Sequence, residues 1–438
     1  MEEIIKILQD NAPAQSQESL LAVQQYNTAT HKVMSTSDRP NKTIYKPVLD
    51  ANGDQVEIDG VAQTRQSTVP LNRVPISMQK NIVALRKYFM NLKGSVLYSD
   101  DDQSTLLQEL NRVRKDNKYS FKIEEIAERT MSELESAEMW WINTDEEIKM
   151  RVLSPEKGDL LLPLFDEFGD MKYFLRSYTV GDDTLTDVFT KTHKYTFDSS
   201  QRLIEERTHI WNKIPIIYYS QKQPEWADVQ IIIERYETIV SNLGDNNDYT
   251  GSPALIVKGA ISGFSHKSES GKVFQLEQDA DMSYLEINGA PEAVALEMRT
   301  LKEDMYRYSH TPDMSIESLK GNAVSGVAFD RLFTDAQLSA SDKLSGTFGE
   351  SMQRSVNLVS AMLRSINKSL PDDIIEIETT AYRFDDLSEM VKNSVLLKGI
   401  LSNETITKLM ASKFGIDEKE EWERVRIELG QLSIENAE

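Results

Sequence analysis

The chain has 438 residues, 39% hydrophobic and 27% charged, enough to bury a sizeable core and ordinarily divided into two to four structural units. Its 71 acidic and 49 basic residues leave a net charge of -22, with no basic run longer than Arg86-Lys87, which disfavours tight nucleic-acid binding through a basic patch. It contains no cysteine, excluding disulfides and thiolate metal sites, and no apolar run of about eighteen residues, so a membrane span is not expected.

The opening MEEIIKILQD is acidic and lacks the charged-then-apolar layout of an export signal. It carries a short apolar stripe (Ile4, Ile5, Leu8), and a second helical pattern follows around Leu20, Val23 and Tyr26, with a break expected at Ala12-Pro13-Ala14. Residues 43–58 read as a hairpin turning at Asn52-Gly53. The same acidic turn is not a calcium loop, because its glycine is at the wrong offset and no distal glutamate follows. Residues 77–93 predict a helix capped by Ser77, striped by Met78, Ile82, Leu85, Phe89 and Leu92, and ended by Gly94. Two further helices are expected at 105–115 and 121–141. From 148 to 210 the period moves towards two, and segments at 149–153, 159–165, 171–179, 186–197 and 202–211 predict an antiparallel meander.

The most distinctive order of elements lies between Trp226 and Phe333. Trp226, Val229, Ile233, Tyr236, Val240 and Leu243 alternate spacings of three and four, as do Val294, Met298, Leu301, Met305 and Tyr308. Each set forms a narrow stripe of the kind that packs lengthwise on a neighbour, although two core helices of an ordinary α+β domain show the same pattern. The first helix is expected to stop near Leu243, before Gly244-Asp245-Asn246-Asn247-Asp248. Two short strands, 254–257 and 273–276, then lead to the second helix, which Asn288 can cap and Pro291 can open. A polar loop, 312–325, precedes a helical pattern from Gly326 to Lys368. Unbroken, that helix spans about 64 Å, with Gly346 and Gly349 expected to bend it. A strand at 374–379 and helices at 387–398, 403–412 and 418–429 complete an α+β chain.

Enzyme signatures are weak. Gly263 to Gly271-Lys272 has the wrong spacing for a phosphate loop, and Val273 stands where Ser or Thr holds magnesium. There is no G-x-S-x-G or H-E-x-x-H. The five histidines (His31, His193, His209, His266, His310) are scattered singly, and Asp100-Asp101-Asp102 and Asp372-Asp373 fit solvated turns or caps better than metal sites. No catalytic residue, metal site or cofactor is expected.

Asn212-Lys213-Ile214-Pro215-Ile216-Ile217 before the first heptad helix, Thr311-Pro312-Asp313 after the second, and Ser325-Gly326-Val327-Ala328 opening the long helix resemble the portal proteins of tailed bacteriophages, in the branch typified by Bacillus phage SPP1. Tyr26 and His31, Lys93-Gly94-Ser95-Val96, and Gly399-Ile400-Leu401-Ser402-Asn403-Glu404-Thr405 extend the likeness to roughly residues 20–425.

The resemblance implies a portal-type fold: a helical wing with an antiparallel meander (1–224 and 326–393), a two-helix stem (225–250 and 289–311), a small α/β clip (251–288), a channel loop (312–325) and a small helical crown (394–438). It implies a homododecameric ring at one capsid vertex of the virion, assembled in the host cytoplasm. Its partners would be the terminase large subunit, the major capsid and scaffold proteins, a head–tail connector or adaptor, and double-stranded DNA in transit, with no membrane. In the channel loop Lys320 is the only basic residue and the candidate phosphate contact, beside Ser318, Gly321 and Asn322. Arg299, Lys302 and Arg307 are candidate channel-lining positions. Trp226, Val229, Ile233, Tyr236, Val240, Val294, Met298, Leu301 and Met305 are candidate subunit-packing positions. The competing readings are another virion structural or adaptor protein, and an α+β hydrolase or nuclease with dispersed carboxylates.

Overall fold

A computed structural model describes residues 2–50, 56–58, 61–101, 103–250, 255–258, 261–264, 274–276, 281–284, 291–315, 326–383, 387–414 and 416–435. The chain forms two compact units, Met1–Thr311 with Leu338–Ala381, and Pro312–Gln337 with Tyr382–Glu438.

The first unit opens with α1 (Glu2–Asp10), whose Ile4 and Leu8 are buried, and α2 (Gln17–Tyr26). The α2 face turned inward is Ser19 and Ala22, while Leu20 points to solvent. Next come β1 (Lys42–Pro47), β2 (Glu57–Ile58), β3 (Val61–Ala62) and β4 (Thr64–Val69). The expected hairpin is redrawn here, because β1 pairs antiparallel with β4 rather than with 54–58, and β2 pairs with β3. Asn52-Gly53 lies outside the described residues. The polar return strand TRQSTV has no apolar alternation to announce it.

The helix predicted at 77–93 is α3 (Met78–Met90). Asn91, at φ 48°, ends it in the left-handed region, and Gly94 closes the short turn beyond. Ser77 makes no side-chain cap. After β5 (Val96–Ser99) and α4 (Thr105–Asp116), α5 spans Tyr119–Glu133 and stops at Leu134, φ 70°. The predicted helix to Trp141 is therefore shorter, since residues 135–142 form the strand β6 (Glu135–Ile142). β6 is the middle strand of a three-stranded sheet between β7 (Ile148–Leu153) and β13 (Ile216–Ser220), and pairing on both edges overrides the helical periodicity.

The meander is present as a five-stranded antiparallel sheet of β8 (Leu160–Phe165), β9 (Met171–Val180), β10 (Asp183–Phe189), β11 (His193–Phe197) and β12 (Leu203–Thr208), in sequential order. Segment 186–197 is two strands, and 148–153 joins the other sheet. One face of the meander shares a core with the three-stranded sheet through Ala137, Leu153, Leu161, Phe174 and Phe189. The other face is covered by α1, where Ile4 and Leu8 meet Leu175, Val188 and Phe197.

The next helix, α6, runs Gln230–Thr250, straight through the expected break after Leu243. β14 (Leu255–Lys258) pairs with β17 (Asp281–Tyr284), and β15 (Ile261–Phe264) with β16 (Phe274–Leu276). The return helix α7 spans Pro291–Tyr308; its expected cap Asn288 lies outside the described residues. The long helical pattern is two helices, α8 (Gly326–Ser345) and α9 (Thr347–Ile366), separated at Gly346 as expected. A Cβ on Gly349 would lie 1.8 Å from the Leu344 carbonyl oxygen, so only glycine lets α9 start this close to the end of α8. β18 (Ile375–Glu378) then pairs with β5.

The second unit contains the start of α8 and three more helices, α10 (Leu387–Leu397) and α11 (Asn403–Phe414), near their expected bounds, and α12 (Glu418–Glu435), which runs past the expected end at 429. Among the described residues, no helix is long and apolar enough to cross a membrane.

Candidate assembly site

The two heptad helices pack on each other as an antiparallel pair, linked near mid-length by Arg235, whose Nε and Nη2 both donate to Oε1 of Glu297 at 3.0 and 2.8 Å. At the start of the first stripe, Trp226, Val229 and Ile233 are fully buried within their own unit. The Trp226 indole stacks on Tyr26 at 5.5 Å between centroids, and its N–H donates to Gln25 Oε1 at 2.9 Å. This half of the first stripe is thus used inside the chain, and in this conformation it is not available to a second copy. Tyr236 and Val240 are half-buried and Leu243 is exposed.

Beyond Ile233 the buried line on α6 becomes polar. The Glu237 carboxylate, 1% exposed, faces His31 Nδ1 at 2.6 Å and accepts from the Ile76 N–H at 2.8 Å. Ser241 Oγ accepts from the Val74 N–H at 3.0 Å. Asp245 binds the Arg39 guanidinium and the Asn72 N–H (2.7 Å), and Asp248 accepts from the Asn72 amide at 2.6 Å. Glu237, Ser241, Asp245 and Asp248 recur at helical spacing on one face, and each reaches a partner in 31–39 or 72–76. These bonds explain why a Gly/Asn/Asp-rich sequence stays helical here. The spacing of four and three was legible in the sequence; its partners were not.

On α7, Met305 is buried, while Val294, Met298 and Leu301 are half-buried. Arg299 and Arg307 are exposed; Arg307 lies 3.9 Å from Asp304, and the Lys302 ammonium sits 5.9 Å from the Tyr306 ring centroid. Ser318, Lys320, Gly321 and Asn322 lie outside the described residues.

A three-way joint fixes the base of the pair. Arg86, buried on α3, donates from Nε to Glu225 Oε2 (3.2 Å) and from Nη2 to the Ser309 carbonyl (3.1 Å) just past α7. The other oxygen of Glu225 meets Lys343 Nζ of α8 at 2.5 Å. Beneath lies a second buried carboxylate. Glu138 accepts from the hydroxyls of Tyr119 (3.0 Å) and Tyr219 (2.7 Å), from the Trp140 indole (2.7 Å) and from Ser355. Burial raises its pKa against those four donors, and burial raises those of both tyrosines. Four satisfied bonds tying α5, two strands and α9 give this acid a structural role.

A hollow of about 690 Å³ between α4, the β6–β7 turn and the end of α9 is lined by Glu109, Asp116, Asp145, Glu146 and Glu147 over Leu363 and Ile366. Three of these acids are paired along their own elements, Glu109 and Asp116 with Arg112 and Glu147 with Lys149. Among the described residues no group of three or more His, Cys, Asp or Glu could hold a metal ion.

The model of the family described as "Phage portal protein, SPP1 Gp6-like" matches residues 8–431. The chain belongs to that family. Its match spans both heptad helices and the segments that flank them. No curated protein sequence matches it significantly. Solved structures similar to this portal chain include one from the "Virion of native gene transfer agent (GTA) particle", at 11% identity and TM-score 0.44, covering 94% of this chain and 98% of that one. Two others, from the "Neck of empty GTA particle computed with C6 symmetry" and the "Neck of native GTA particle computed with C12 symmetry", are 14% and 12% identical with TM-scores of 0.39 and 0.41. Each covers 78% of this chain and 90% of its own.

Proposed function

We propose that copies of this chain close into a dodecameric ring at one capsid vertex, and that double-stranded DNA enters through the ring during packaging and leaves through it at ejection. The family match over residues 8–431 carries the reading. The antiparallel helix pair, bracketing short strands and keyed into the wing at its base, supports it. In this division 1–224 and 326–393 are the wing, facing capsid and scaffold. Helices 225–250 and 289–311 are the stem, 251–288 the clip, 312–325 the channel loop and 394–438 the crown. The clip docks the terminase large subunit and later the head–tail connector. ATP hydrolysis belongs to the terminase, and the portal is a gasket and docking hub assembled in the host cytoplasm.

The net charge of -22 suits a tube that DNA slides through without sticking, since like charge shortens phosphate contacts. Lys320, flanked by Ser318, Gly321 and Asn322, would repeat around the ring as a positive collar, with Arg299, Lys302 and Arg307 further along the bore. The half-buried Val294, Met298 and Leu301 are left for the adjacent subunit, while Trp226, Val229 and Ile233 set the angle of α6 from within. Electron micrographs of the purified chain test the proposal. Closed rings with a central hole are expected; chains that stay solitary even with scaffold and capsid proteins would refute it.

A further inference from the structure

Within the 42–69 arm, β1 and β4 form a two-stranded ribbon that no other described element covers. β1 and β4 pair along their whole length, Lys42 opposite Val69 through Pro47 opposite Thr64, and neither strand packs substantially on any other element. Exposed apolar side chains run out along it: Tyr45 (69%), Leu49 (56%), Ile58 (58%) and Val61 (63%). A lone two-stranded hairpin is at best marginally stable in water, and its two outer edges present unpaired backbone groups. The arm is nonetheless aimed by a rigid root. Arg39 reaches Asn242 (2.8 Å) and Asp245 on α6, Asn72 is held by Asp245 and Asp248, and Arg73 donates to the Arg39 carbonyl (2.7 Å) and to Asn41 (2.8 Å).

Charge indicates what covers it. The two long strands carry Lys42, Lys46 and Arg65 and no acid, and among the described residues none of the three has an ion-pair partner. The arm's carboxylates (Asp50, Asp54, Glu57, Asp59) all fall in the stretch joining those strands. On a chain of net charge -22, three unpaired cations beside an exposed tyrosine complement the surface of another copy of the same chain.

We infer that the 42–69 arm lies across the acidic surface of the adjacent copy, making a head-to-tail contact of the kind that closes rings. This rests on the ring reading above and adds the surface that joins the subunits. Because the root is fixed before contact, little ordering entropy opposes docking.

The experiment compares three full-length chains: wild type, the triple reversal Lys42→Glu/Lys46→Glu/Arg65→Glu, and a chain with 43–68 replaced by two glycines, which the register of Lys42 opposite Val69 permits. The melting temperature of the unassembled chain should be alike in all three, since the arm adds nothing to a core. Mass photometry over a concentration series should show the half-assembly concentration rising at least tenfold in both variants. Raising salt from roughly 0.1 to 0.5 M should weaken wild-type assembly more than that of the armless chain. Because the native chain has no cysteine, Tyr45→Cys carrying a photocrosslinker labels one site only, and its crosslinks should fall on a different copy. An armless chain that assembles at the wild-type concentration overturns the inference while leaving the ring intact. So does a triple reversal that alters only binding to duplex DNA. Wild-type chains that never assemble overturn the ring reading itself, and this inference with it.

Discussion

His31 Nδ1 lies 2.6 Å from Glu237 Oε1, with both side chains buried and 206 residues apart in the chain. The other ring nitrogen faces the Gln25 carbonyl at 2.8 Å, so this one pair ties α2, the segment after it and α6 together. Removing either partner strands a polar group in the interior. Glu237→Ala and His31→Ala should each lower unfolding stability by about 3–5 kcal/mol. The double variant should lose less than the sum, by about 0.5–3 kcal/mol. Strict additivity in urea unfolding of the unassembled chain would show that the two side chains act independently.

Glu133 gives a pH signature. It is buried, and desolvation outweighs the attraction of Arg129, raising its pKa to about 7. A raised carboxyl pKa means that the folded chain holds this proton where the unfolded chain has lost it. Its contribution is therefore full below about 4.5 and is lost as pH rises from there through 7. Glu133→Gln should gain stability relative to wild type between pH 5 and pH 8, on the order of 2–3 kcal/mol. Equal denaturation midpoint differences at both pH values would exclude this.

His209 is opposite in sign. Burial, partly offset by its bond to the Thr190 carbonyl, brings its pKa down to about 4, and the ring stacks on Trp211 at 4.2 Å. Its contribution is present above 6.5 and is lost as pH falls towards 4. His209→Phe, which keeps the stacking and cannot take a proton, should resist acid between pH 6 and 4 better than wild type, as read by tryptophan fluorescence.

The elbow between α8 and α9 predicts an asymmetry between two glycines. A methyl group on Gly349 meets a backbone oxygen at 1.8 Å, whereas one on Gly346 lies 3.1 Å from the Asp342 carbonyl oxygen. Gly349→Ala should therefore destabilise by about 1–3 kcal/mol and Gly346→Ala by distinctly less. Calorimetry of the two variants compares them directly.

For the proposed channel loop, Lys320→Ala should slow genome packaging or impair retention while leaving rings intact. Particles that fill at the wild-type rate and keep their DNA would remove Lys320 from the channel.

The strands of the meander could be read from the sequence because Gly/Asp/Ser turns interrupt an alternating pattern, and the terminal helices because their stripes and caps are local. The boundary at Leu134 could not. A leucine rather than a glycine takes the left-handed position, and the helical spacing continues across it into a strand paired on both edges. The continuation of α6 past Leu243 was hidden for another reason. Asp245 and Asp248 read as helix breakers until Arg39 and Asn72, about 170–210 residues earlier in the chain, satisfy them. The apolar stripes were visible, but spacing does not say whether a stripe meets its own chain, as Trp226 does, or another.

The polar face of α6 has a mechanical consequence. Glu237, Ser241, Asp245 and Asp248 are bound side by side along the helix rather than at one end. A tug along the axis from the strands beyond Thr250 loads these bonds together in shear, so none can be unzipped before the next. Through Arg86 and the Ser309 carbonyl, the same tug applied to the returning helix arrives at α3. Strain imposed beyond Thr250 is thereby delivered to the body as one axial load, not dissipated by peeling.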